Sequence, residues 1–371
     1  MGKSVDLKDT TPGYWDNYNN FQRVKHDLIR NYLNGWFPKL SSWHGKIVYF
    51  DTHAGRGKHS GGQYGSPIVA LQTLMEHSFR DRLLSNCEVL FAFCEGDKGN
   101  FEKLVAEIDA LGKLPDNIKI NAANVDCYKQ LGKALLRLEE ENKELAPAFV
   151  FVDPYGFKMP GSILKRLMTF KRVELFINVI WRELNMAISN GSKQEGMAKT
   201  LDSIFDGNVW RDLVPLNSEE RSEGCMALFK DMVDAQWATY IYMRGKNHAT
   251  RYMLLHLTNH DDGRDLMKDC IWKVCPDGGF HASVTGLSAD EYLIKPEPDL
   301  RPLQNWVIKR LGERPYRWQE LLQDVRSKIW RQKHLNDVVR SLRRDGIIDK
   351  RDHKGKFHPC NNPELFLIEV E

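Results

Sequence analysis

The chain has 371 residues, of which 42% are apolar, 11% aromatic and 28% charged, and its formal net charge is +3. These proportions are typical of a folded globular protein and exclude extensive disorder, and no apolar run reaches the roughly 18 residues that a membrane-spanning helix needs. The seven cysteines are scattered and odd in number. We therefore expect a reduced, cytoplasmic protein with no disulfide scaffold and no membrane association.

Up to residue 295, predicted helices and strands alternate along the chain. Short apolar runs bounded by turn residues predict strands over residues 46–50, 87–94, 118–122, 148–152 and 173–180. Apolar residues at helical spacing predict helices over residues 18–40, 100–111, 128–144 and 163–169. A further helix is expected to open near Ser66, which can cap it, with Pro67 at its first position.

The order of these elements predicts an α/β fold with a Rossmann-like parallel sheet and helices on both faces. Residues 184–236 carry helical patterns and form a predicted helical insertion, and the runs 237–243 and 251–258 are expected to complete the sheet as a hairpin. Five βα units followed by a hairpin are the order of a class I S-adenosylmethionine methyltransferase. We expect this domain to cover residues 1–295.

A second, basic domain is predicted over residues 300–371, after a proline-containing linker. Helices are expected over residues 303–311, 318–325 and 334–345, with a hairpin over 347–357, which together make a winged helix. Between residues 301 and 358, 16 lysines and arginines stand against seven acidic residues, whereas residues 1–300 carry a net charge of −3. Such asymmetry favours contact with a polyanion, nucleic acid above all, although a solvated helix surface gives the same pattern.

The candidate nucleic-acid contacts are the basic residues of this second domain. The predicted set is Arg317, Lys333, Arg340, Arg343, Arg344 and Lys354. Winged helices also bind proteins, so contact with a protein partner is the alternative. His353, His358 and Cys360 lie close together nearby, but no fourth ligand is evident and we expect no metal site.

The first candidate constellation in the larger domain follows its first strand. Gly55 and Gly57 allow a tight turn and a close approach to a ligand, and Asp51 can accept a bond from a positively charged amino group. A methyltransferase lays the amino acid tail of its cofactor over this turn. The predicted cofactor-binding residues here are Asp51, His53, Ala54, Gly55, Gly57 and Ser66.

Two further acids follow the second and third strands. Glu95 is expected to accept hydrogen bonds from ribose hydroxyls, with Asp97 as the alternative acid. Asp126 is expected to bond an adenine amino group, although a helix cap is an equally good interpretation.

The fourth constellation, Asp153, Pro154 and Tyr155, follows the fourth strand. A carboxylate at the carboxyl end of a central strand faces the ligand crevice of an open α/β sheet. The carboxylate and a neighbouring carbonyl can accept the hydrogens of a target amino group, while Tyr155 stacks on a flipped base. We therefore predict these three residues as catalytic. Amino-methylating enzymes usually carry two prolines before the aromatic residue, and this chain has one.

The chain resembles the three-Cys-motif partner protein (TcmP) family. The resemblance is carried by Lys25, His26, Tyr32 and Trp36 in the first helix, and by segments 51–57, 65–71, 153–156, 252–255, 258–260 and 266–268 with Trp272. It implies a methyltransferase-like Rossmann fold and a partner, a radical-type protein with a three-cysteine iron–sulfur motif.

Two functions follow from these features. In the first, the chain is an S-adenosylmethionine-dependent methyltransferase that acts on nucleic acid. In the second, it does no chemistry and recruits nucleic acid for the iron–sulfur partner.

Overall fold

The structure is a computed structural model that describes residues 15–16, 18–42, 45–191, 193–276, 280–284, 293–294, 296–352 and 357–368. Lys354, one of the predicted nucleic-acid contacts, and His353 lie outside the described residues. Within them, no helix combines the length and the apolar character needed to cross a membrane.

An eight-stranded sheet organises the larger part of the chain. Its strands are β1 Lys46–Asp51, β2 Glu88–Cys94, β3 Ile118–Ala123, β4 Ala148–Val152, β5 Val173–Val179, β6 Trp237–Arg244, β7 Thr250–Thr258 and β8 His281–Ser283, and they lie in the order β3-β2-β1-β4-β5-β7-β6-β8. The first five are mutually parallel, and β7 is antiparallel to both β5 and β6. The predicted α/β fold, with five parallel strands and a terminal hairpin, is confirmed.

Ten helices accompany this sheet in the described residues. They are α1 Asn20–Ser41, α2 Ser66–Met75, α3 Arg80–Asn86, α4 Lys98–Asp109, α5 Cys127–Glu140, α6 Gly161–Met168, α7 Trp181–Gly191, α8 Glu195–Ile204, α9 Ser218–Met232 and α10 Asp261–Val274. The sequence analysis did not predict α3, α10 or β8. Of these, α3 and β8 are too short to show a hydrophobic period. The region of the predicted insertion contains α7, α8, a short 3₁₀ turn and α9.

Both faces of the sheet are covered by apolar side chains, as a parallel sheet requires. On one face, Tyr49, Phe149 and Phe176 pack beneath α1, α2 and α10. On the other, residues such as Val150 and Leu175 pack against the helices that follow β3, β4 and β5. Strand residues alternate between the two faces, so Asp51 and Asp153 share the α1 face with Tyr49 and Phe149.

A buried polar network fastens α1 to the sheet near the amino end of β5. Glu174 accepts hydrogen bonds from the Trp36 indole at 3.1 Å and from the Tyr32 hydroxyl, and the His256 ring lies 2.8 Å from it. Burial alone would raise the pKa of the Glu174 carboxyl, but His256, Tyr32 and Trp36 lower it below its usual value. The network sets the position of α1 along the strands.

The C-terminal unit contains three helices and a small antiparallel sheet. The elements are α11 Arg301–Glu313, β9 Tyr316–Arg317, α12 Trp318–Arg326, α13 Gln332–Arg344, β10 Ile348–Arg351 and β11 Glu364–Leu367, with the strands in the order β10-β11-β9. The partner strand of β10 begins at Glu364, later than the predicted end of the hairpin, because Phe357 is buried in the core of the unit instead. The winged helix and the domain boundaries remain predictions.

Helix α10 contacts this unit directly. The Lys268 ammonium donates to the backbone carbonyls of Arg326 at 2.7 Å and Trp330 at 3.2 Å, and the Trp272 indole donates to the Ile329 carbonyl at 2.8 Å. The Trp272 and Trp330 rings stack at 5.7 Å. Burial lowers the pKa of Lys268 to about 7.

Candidate active site at the carboxyl edge of the sheet

Three of the predicted constellations meet at one edge of the sheet. Strand β1 lies between β2 and β4, so the residues that follow these strands are neighbours. Backbone hydrogen bonds extend the contact beyond the strands, from Ala54 to the Cys94 carbonyl at 2.9 Å and from Thr52 to the Phe151 carbonyl at 3.0 Å. Asp51, Glu95 and Asp153 therefore stand side by side at the carboxyl ends of the central strands, where open α/β sheets bind ligands.

The turn after β1 needs glycine for two different reasons. Gly55 and Gly57 have positive φ values of 65° and 77°, a region that strains other residues. At Gly55 a side chain would also collide with the Trp15 indole, 2.5 Å from the ideal Cβ position. The Trp15 ring thus lies directly against this turn, and the Arg56 guanidinium stacks on that ring at 5.1 Å.

Asp51 is a fully buried carboxyl group in a polar setting. Its Oδ1 accepts a hydrogen bond from the His53 backbone N–H at 3.2 Å, and its Oδ2 lies 3.5 Å from the Tyr49 hydroxyl. Burial, together with the nearby Asp153 carboxylate, raises the pKa of Asp51 to about 7, although the Ser66 hydroxyl and Lys25 act in the opposite direction. A cationic group entering this site would remove the cost of the buried charge.

The role predicted for Ser66 in helix capping is wrong. The N-cap of α2 is Gly65, and Ser66 is the first helical residue with Pro67 next to it. The Ser66 side chain instead bonds the Asp51 carboxyl. Ser66 therefore lies beside Asp51, and its place in the predicted cofactor set stays a prediction.

Glu95 joins the turn after β1 to the loop after β4. Its carboxylate accepts hydrogen bonds from the Gly55 N–H at 2.8 Å, the Asp97 N–H at 2.7 Å and the Tyr155 hydroxyl at 3.3 Å. Asp97, the alternative acid, caps α4 by accepting from the Asn100 N–H. A ribose hydroxyl would therefore have to share Glu95 with backbone groups or replace Tyr155.

Asp126 caps α5 in the structure. Its side chain accepts from the Lys129 N–H at 3.1 Å, which is the helix-cap interpretation left open by the sequence, and the contact to adenine stays a prediction. Two residues on, the Tyr128 hydroxyl is buried and forms no hydrogen bond with any residue that the structure describes. This orphaned polar group lies beside the His53 ring, at 5.6 Å between ring centroids.

His53 is held in an uncharged state by its surroundings. Its ring nitrogens lie 2.8 Å from the Thr52 hydroxyl and 3.7 Å from the Cys127 sulfur. Burial lowers the pKa of His53 to about 4, against the opposing effect of Asp153 and Asp126.

The Asp153 carboxylate is fixed by two residues to which the sequence analysis gave no role. Lys25 of α1 donates to Oδ2 at 2.5 Å, and the Asn178 amide of β5 donates to Oδ1 at 2.7 Å. The Lys25 and Asp153 side chains are 10% and 15% exposed, so water screens this ion pair little. The sequence contains a sign that both residues are special, because Lys25 interrupts the apolar face of α1 and Asn178 interrupts the apolar strand β5.

The loop after β4 presents Tyr155 at the protein surface. The residue is 39% exposed, its ring meets the His53 ring edge-on at 5.7 Å, and Pro154 before it is buried. An exposed aromatic face beside a fixed carboxylate suits the predicted stacking role, which stays a prediction.

The predicted nucleic-acid contacts lie on the C-terminal unit, and its arginines are paired with acids. Arg317 meets Asp352 at 2.5 Å, Arg340 meets Asp337 at 3.5 Å, Arg343 meets Asp349 at 3.1 Å and Arg344 meets Asp345 at 3.4 Å. Arg340 and Arg344 are 56% and 78% exposed, and with the exposed Lys333 they follow one face of α13. Exposed pairs of this kind contribute little to stability, so a phosphate can compete for the arginines.

In the described part of the chain, no group of three or more His, Cys, Asp or Glu side chains could hold a metal ion. No protein-family model matches the chain, and no curated protein matches it either.

Several solved structures are similar to it. A Legionella pneumophila protein of family model DUF519 is 13% identical, with 67% of this chain and 91% of that chain covered and a TM-score of 0.35. An S-adenosylmethionine-dependent methyltransferase from Agrobacterium tumefaciens is 9% identical, with 61% of each chain covered and a TM-score of 0.33. The small RNA methyltransferase HEN1 is 8% identical, with 66% of this chain but 26% of that chain covered and a TM-score of 0.32.

Proposed function

We propose that this chain is an S-adenosylmethionine-dependent methyltransferase that acts on nucleic acid. The supporting observation is the convergence of Asp51, Glu95 and Asp153 at the carboxyl ends of three adjacent parallel strands, in a sheet with the order β3-β2-β1-β4-β5-β7-β6. That arrangement brings a glycine turn, a buried acid and a fixed carboxylate together at one edge of the sheet, where open α/β sheets bind ligands.

The residues present fit this cofactor. Asp51 is a buried carboxyl group that a ligand ammonium would stabilise in its charged form, which suits the amino acid tail. The orphaned Tyr128 hydroxyl offers a hydrogen bond to the adenosine part. Glu95 would hold the ribose after exchanging its contact with Tyr155.

When bound, this cofactor supplies an electrophilic methyl group on a sulfonium. The chain's own contribution is positioning, which supplies much of the rate enhancement when two reactants must meet in line. Lys25 and Asn178 hold the Asp153 carboxylate in one orientation, so it can accept a hydrogen from the acceptor. Tyr155 would support a base extruded from its stack.

Equilibrium binding of S-adenosylhomocysteine to the purified chain tests the cofactor assignment. We expect one site with a Kd in the micromolar range, which corresponds to about 8 kcal/mol. Asp51→Ala should weaken binding at least ~10-fold, since one charge-assisted contact contributes about 1.5–3 kcal/mol. Glu219→Ala, on the distant helix α9, is the control and should bind normally. A wild-type chain that shows no binding at ~100-fold higher concentration would end the proposal.

Binding of nucleic acid is tested with variants of the exposed basic stripe on α13, formed by Lys333, Arg340 and Arg344. Charge reversal of Arg340 and Arg344 should weaken binding of a single-stranded oligonucleotide, and the wild-type affinity should fall steeply as salt is raised. Charge reversal of Arg211 near α8, also an exposed arginine in an ion pair, is the matched control. An affinity that responds neither to salt nor to the stripe would point to a protein partner instead.

One observation favours the second function, a non-catalytic subunit that recruits nucleic acid for a three-Cys-motif iron–sulfur protein. Lys25 already pairs with the Asp153 carboxylate, which leaves that carboxylate less available to a methyl acceptor. In that case Asp153→Ala would leave the activity of the complex intact, whereas alanine at Arg340 and Arg344 would abolish it. An enzyme should lose activity with either change, and the iron–sulfur partner should co-purify with the chain in both cases.

A further inference from the structure

The β6–β7 hairpin carries positive charge and contains no acid. Residues 237–258, which form both strands and the turn between them, include Arg244, Lys246 and Arg251 but no aspartate or glutamate. Lys246 and Arg251 are exposed, and neither forms an ion pair with an acid in the described part of the chain. The arginines of α13 differ, because each of them is paired with an acid. The charge of the hairpin is therefore not neutralised by the residues that the structure describes.

The turn of this hairpin lies beyond the carboxyl edge of the sheet, where the candidate site is. Strand β7 runs antiparallel to β5, and its Met253 pairs with Val179, the last residue of β5. Arg251 lies two residues before Met253, roughly 7 Å further along the strand direction, and the turn lies further out still. The hairpin thus projects from the same edge that carries Asp51, Glu95 and Asp153.

Tyr252 connects the hairpin to the Lys25–Asp153 ion pair. Its ring meets the ring of Phe21, which lies one turn before Lys25 in α1, edge-on at 5.7 Å. Burial raises the pKa of the Tyr252 hydroxyl, while the charges of Lys25 and Arg251 lower it. Because both cations are close enough to act on one side chain, Arg251 lies beside the candidate site.

The Arg251 side chain lies across the turn of the hairpin. A Cβ atom at Gly245 would be 2.8 Å from the Arg251 Nε, so the glycine makes room for the guanidinium group. Backbone hydrogen bonds close the turn, from Gly245 to the Ala249 carbonyl at 2.9 Å and from His248 to the Gly245 carbonyl at 2.9 Å. A guanidinium group on a closed turn can offer two parallel N–H donors to a phosphate, and Lys246 adds a point charge.

We propose that Lys246 and Arg251 of the β6–β7 hairpin hold the phosphate backbone of a single-stranded nucleic acid next to the candidate site. This inference rests on the proposed function and adds a contact surface separate from the basic stripe on α13. The same edge of the sheet carries Tyr155, which is 39% exposed. Cations beside an exposed aromatic ring fit a single strand, because such strands bind along positive grooves with aromatic side chains under the bases. The phosphate contacts set the position of the strand and carry no sequence preference.

The salt dependence of binding counts these contacts. The affinities of labelled oligothymidylate and oligouridylate are measured over a range of salt concentrations, with the full chain and with Lys246→Ala combined with Arg251→Ala. We expect the double variant to bind at least ~10-fold more weakly at low salt. The slope of log affinity against log salt should become shallower by about 1.4, because each phosphate contact with a single strand contributes about 0.7.

Lys171→Ala combined with Arg172→Ala is the matched control. It removes an exposed lysine and an exposed arginine that come just before β5, at the opposite edge of the same sheet, and it should leave affinity and slope unchanged. Arg251→Lys keeps the charge and should keep the slope, which separates loss of charge from loss of structure. Binding of S-adenosylhomocysteine should be normal in all three variants.

A hairpin double variant with the affinity and slope of the wild type, or a control that loses as much, would overturn the inference. Weaker binding by the α13 variants alone would also overturn it and leave the proposed function standing. A wild-type chain without salt-dependent binding of either oligonucleotide would overturn the inference together with the nucleic-acid part of the proposed function.

Discussion

At the residue scale, Asp51 couples the site to pH. Its pKa of about 7 lies above its usual 3.8, so the folded chain keeps this proton over a range in which the unfolded chain loses it. The contribution of Asp51 to the free energy of unfolding is therefore fully present below pH 3.8 and is lost as the pH rises to about 7. The loss is on the order of a few kcal/mol.

Asp51→Asn should remove this dependence. Urea unfolding at pH 5 and at pH 7.5 should show that the wild-type chain loses more stability across the interval than the variant does. The affinity for S-adenosylhomocysteine should instead increase with pH, because the ammonium group of the ligand favours the charged carboxylate. We expect tighter binding at pH 8 than at pH 6. Parallel pH profiles for the wild type and the variant would contradict the raised pKa.

The two interpretations of Asp126 can be separated by substitutions that keep or remove the cap. Serine caps a helix about as well as aspartate does, whereas alanine costs about 0.5–2 kcal/mol. If Asp126 only caps α5, Asp126→Ser should bind S-adenosylhomocysteine normally. If it also bonds adenine, as the sequence predicts, Asp126→Ser should lower the affinity without lowering the thermal midpoint, a loss that calorimetry would detect.

At the element scale, α1 is fastened to the sheet at both ends. Glu174 holds Tyr32 and Trp36 near the amino end of β5, and Lys25 meets Asp153 at the carboxyl edge. The helix thereby places Lys25 against Asp153 near one end, and toward its other end it joins the buried network of Glu174. Displacing α1 along the strands would disturb the Asp153 carboxylate.

Glu174→Ala should be strongly destabilising, by about 3–5 kcal/mol, because it leaves His256 buried without its partner. Tyr32→Phe removes one hydrogen bond to the same carboxylate and should cost about 1 kcal/mol. Because interactions in the folded state lower the pKa of Glu174, its contribution should be lost as the pH falls toward acid. Chemical denaturation of both variants measures these costs, and equal small costs would contradict the network.

The sequence predicted the elements that repeat a pattern and missed the contacts that depend on packing. The five parallel strands and the acids at their ends could be predicted, because each strand is an apolar run that is followed by turn residues. Lys25 and Asn178 were not assigned a role, because their meeting at Asp153 joins α1, β4 and β5 across more than a hundred residues. The capping error at Ser66 has the same origin, since only the fold brings it to Asp51.

At the scale of the whole molecule, α10 connects the sheet to the basic C-terminal unit. Lys268 binds carbonyls near the end of α12, and Trp272 stacks on Trp330. Carbonyls at a helix end carry partial negative charge, so they suit a lysine. Burial lowers the pKa of Lys268 from its usual 10.5 to about 7, so the folded chain releases this proton before the unfolded chain does. The contribution of Lys268 to the free energy of unfolding is therefore smallest below about pH 7 and increases as the pH rises toward 10.5.

Trp272→Ala should weaken the contact between the sheet-containing unit and the C-terminal unit while leaving each unit folded. We expect thermal unfolding of the variant to resolve into two transitions, and limited proteolysis to cut between the units sooner than in the wild type. Trp306→Ala, which affects the C-terminal unit away from α10, should not separate them. A single unchanged transition would show that α10 does not hold the C-terminal unit.

A crystal structure of the chain with S-adenosylhomocysteine tests the account most directly. We predict that the ligand lies along the turn at Gly55 and Gly57, with its amino group within hydrogen-bond distance of Asp51 and its adenosine toward Tyr128. A ligand bound at any other place, or no ligand at this turn at saturating concentration, would contradict it.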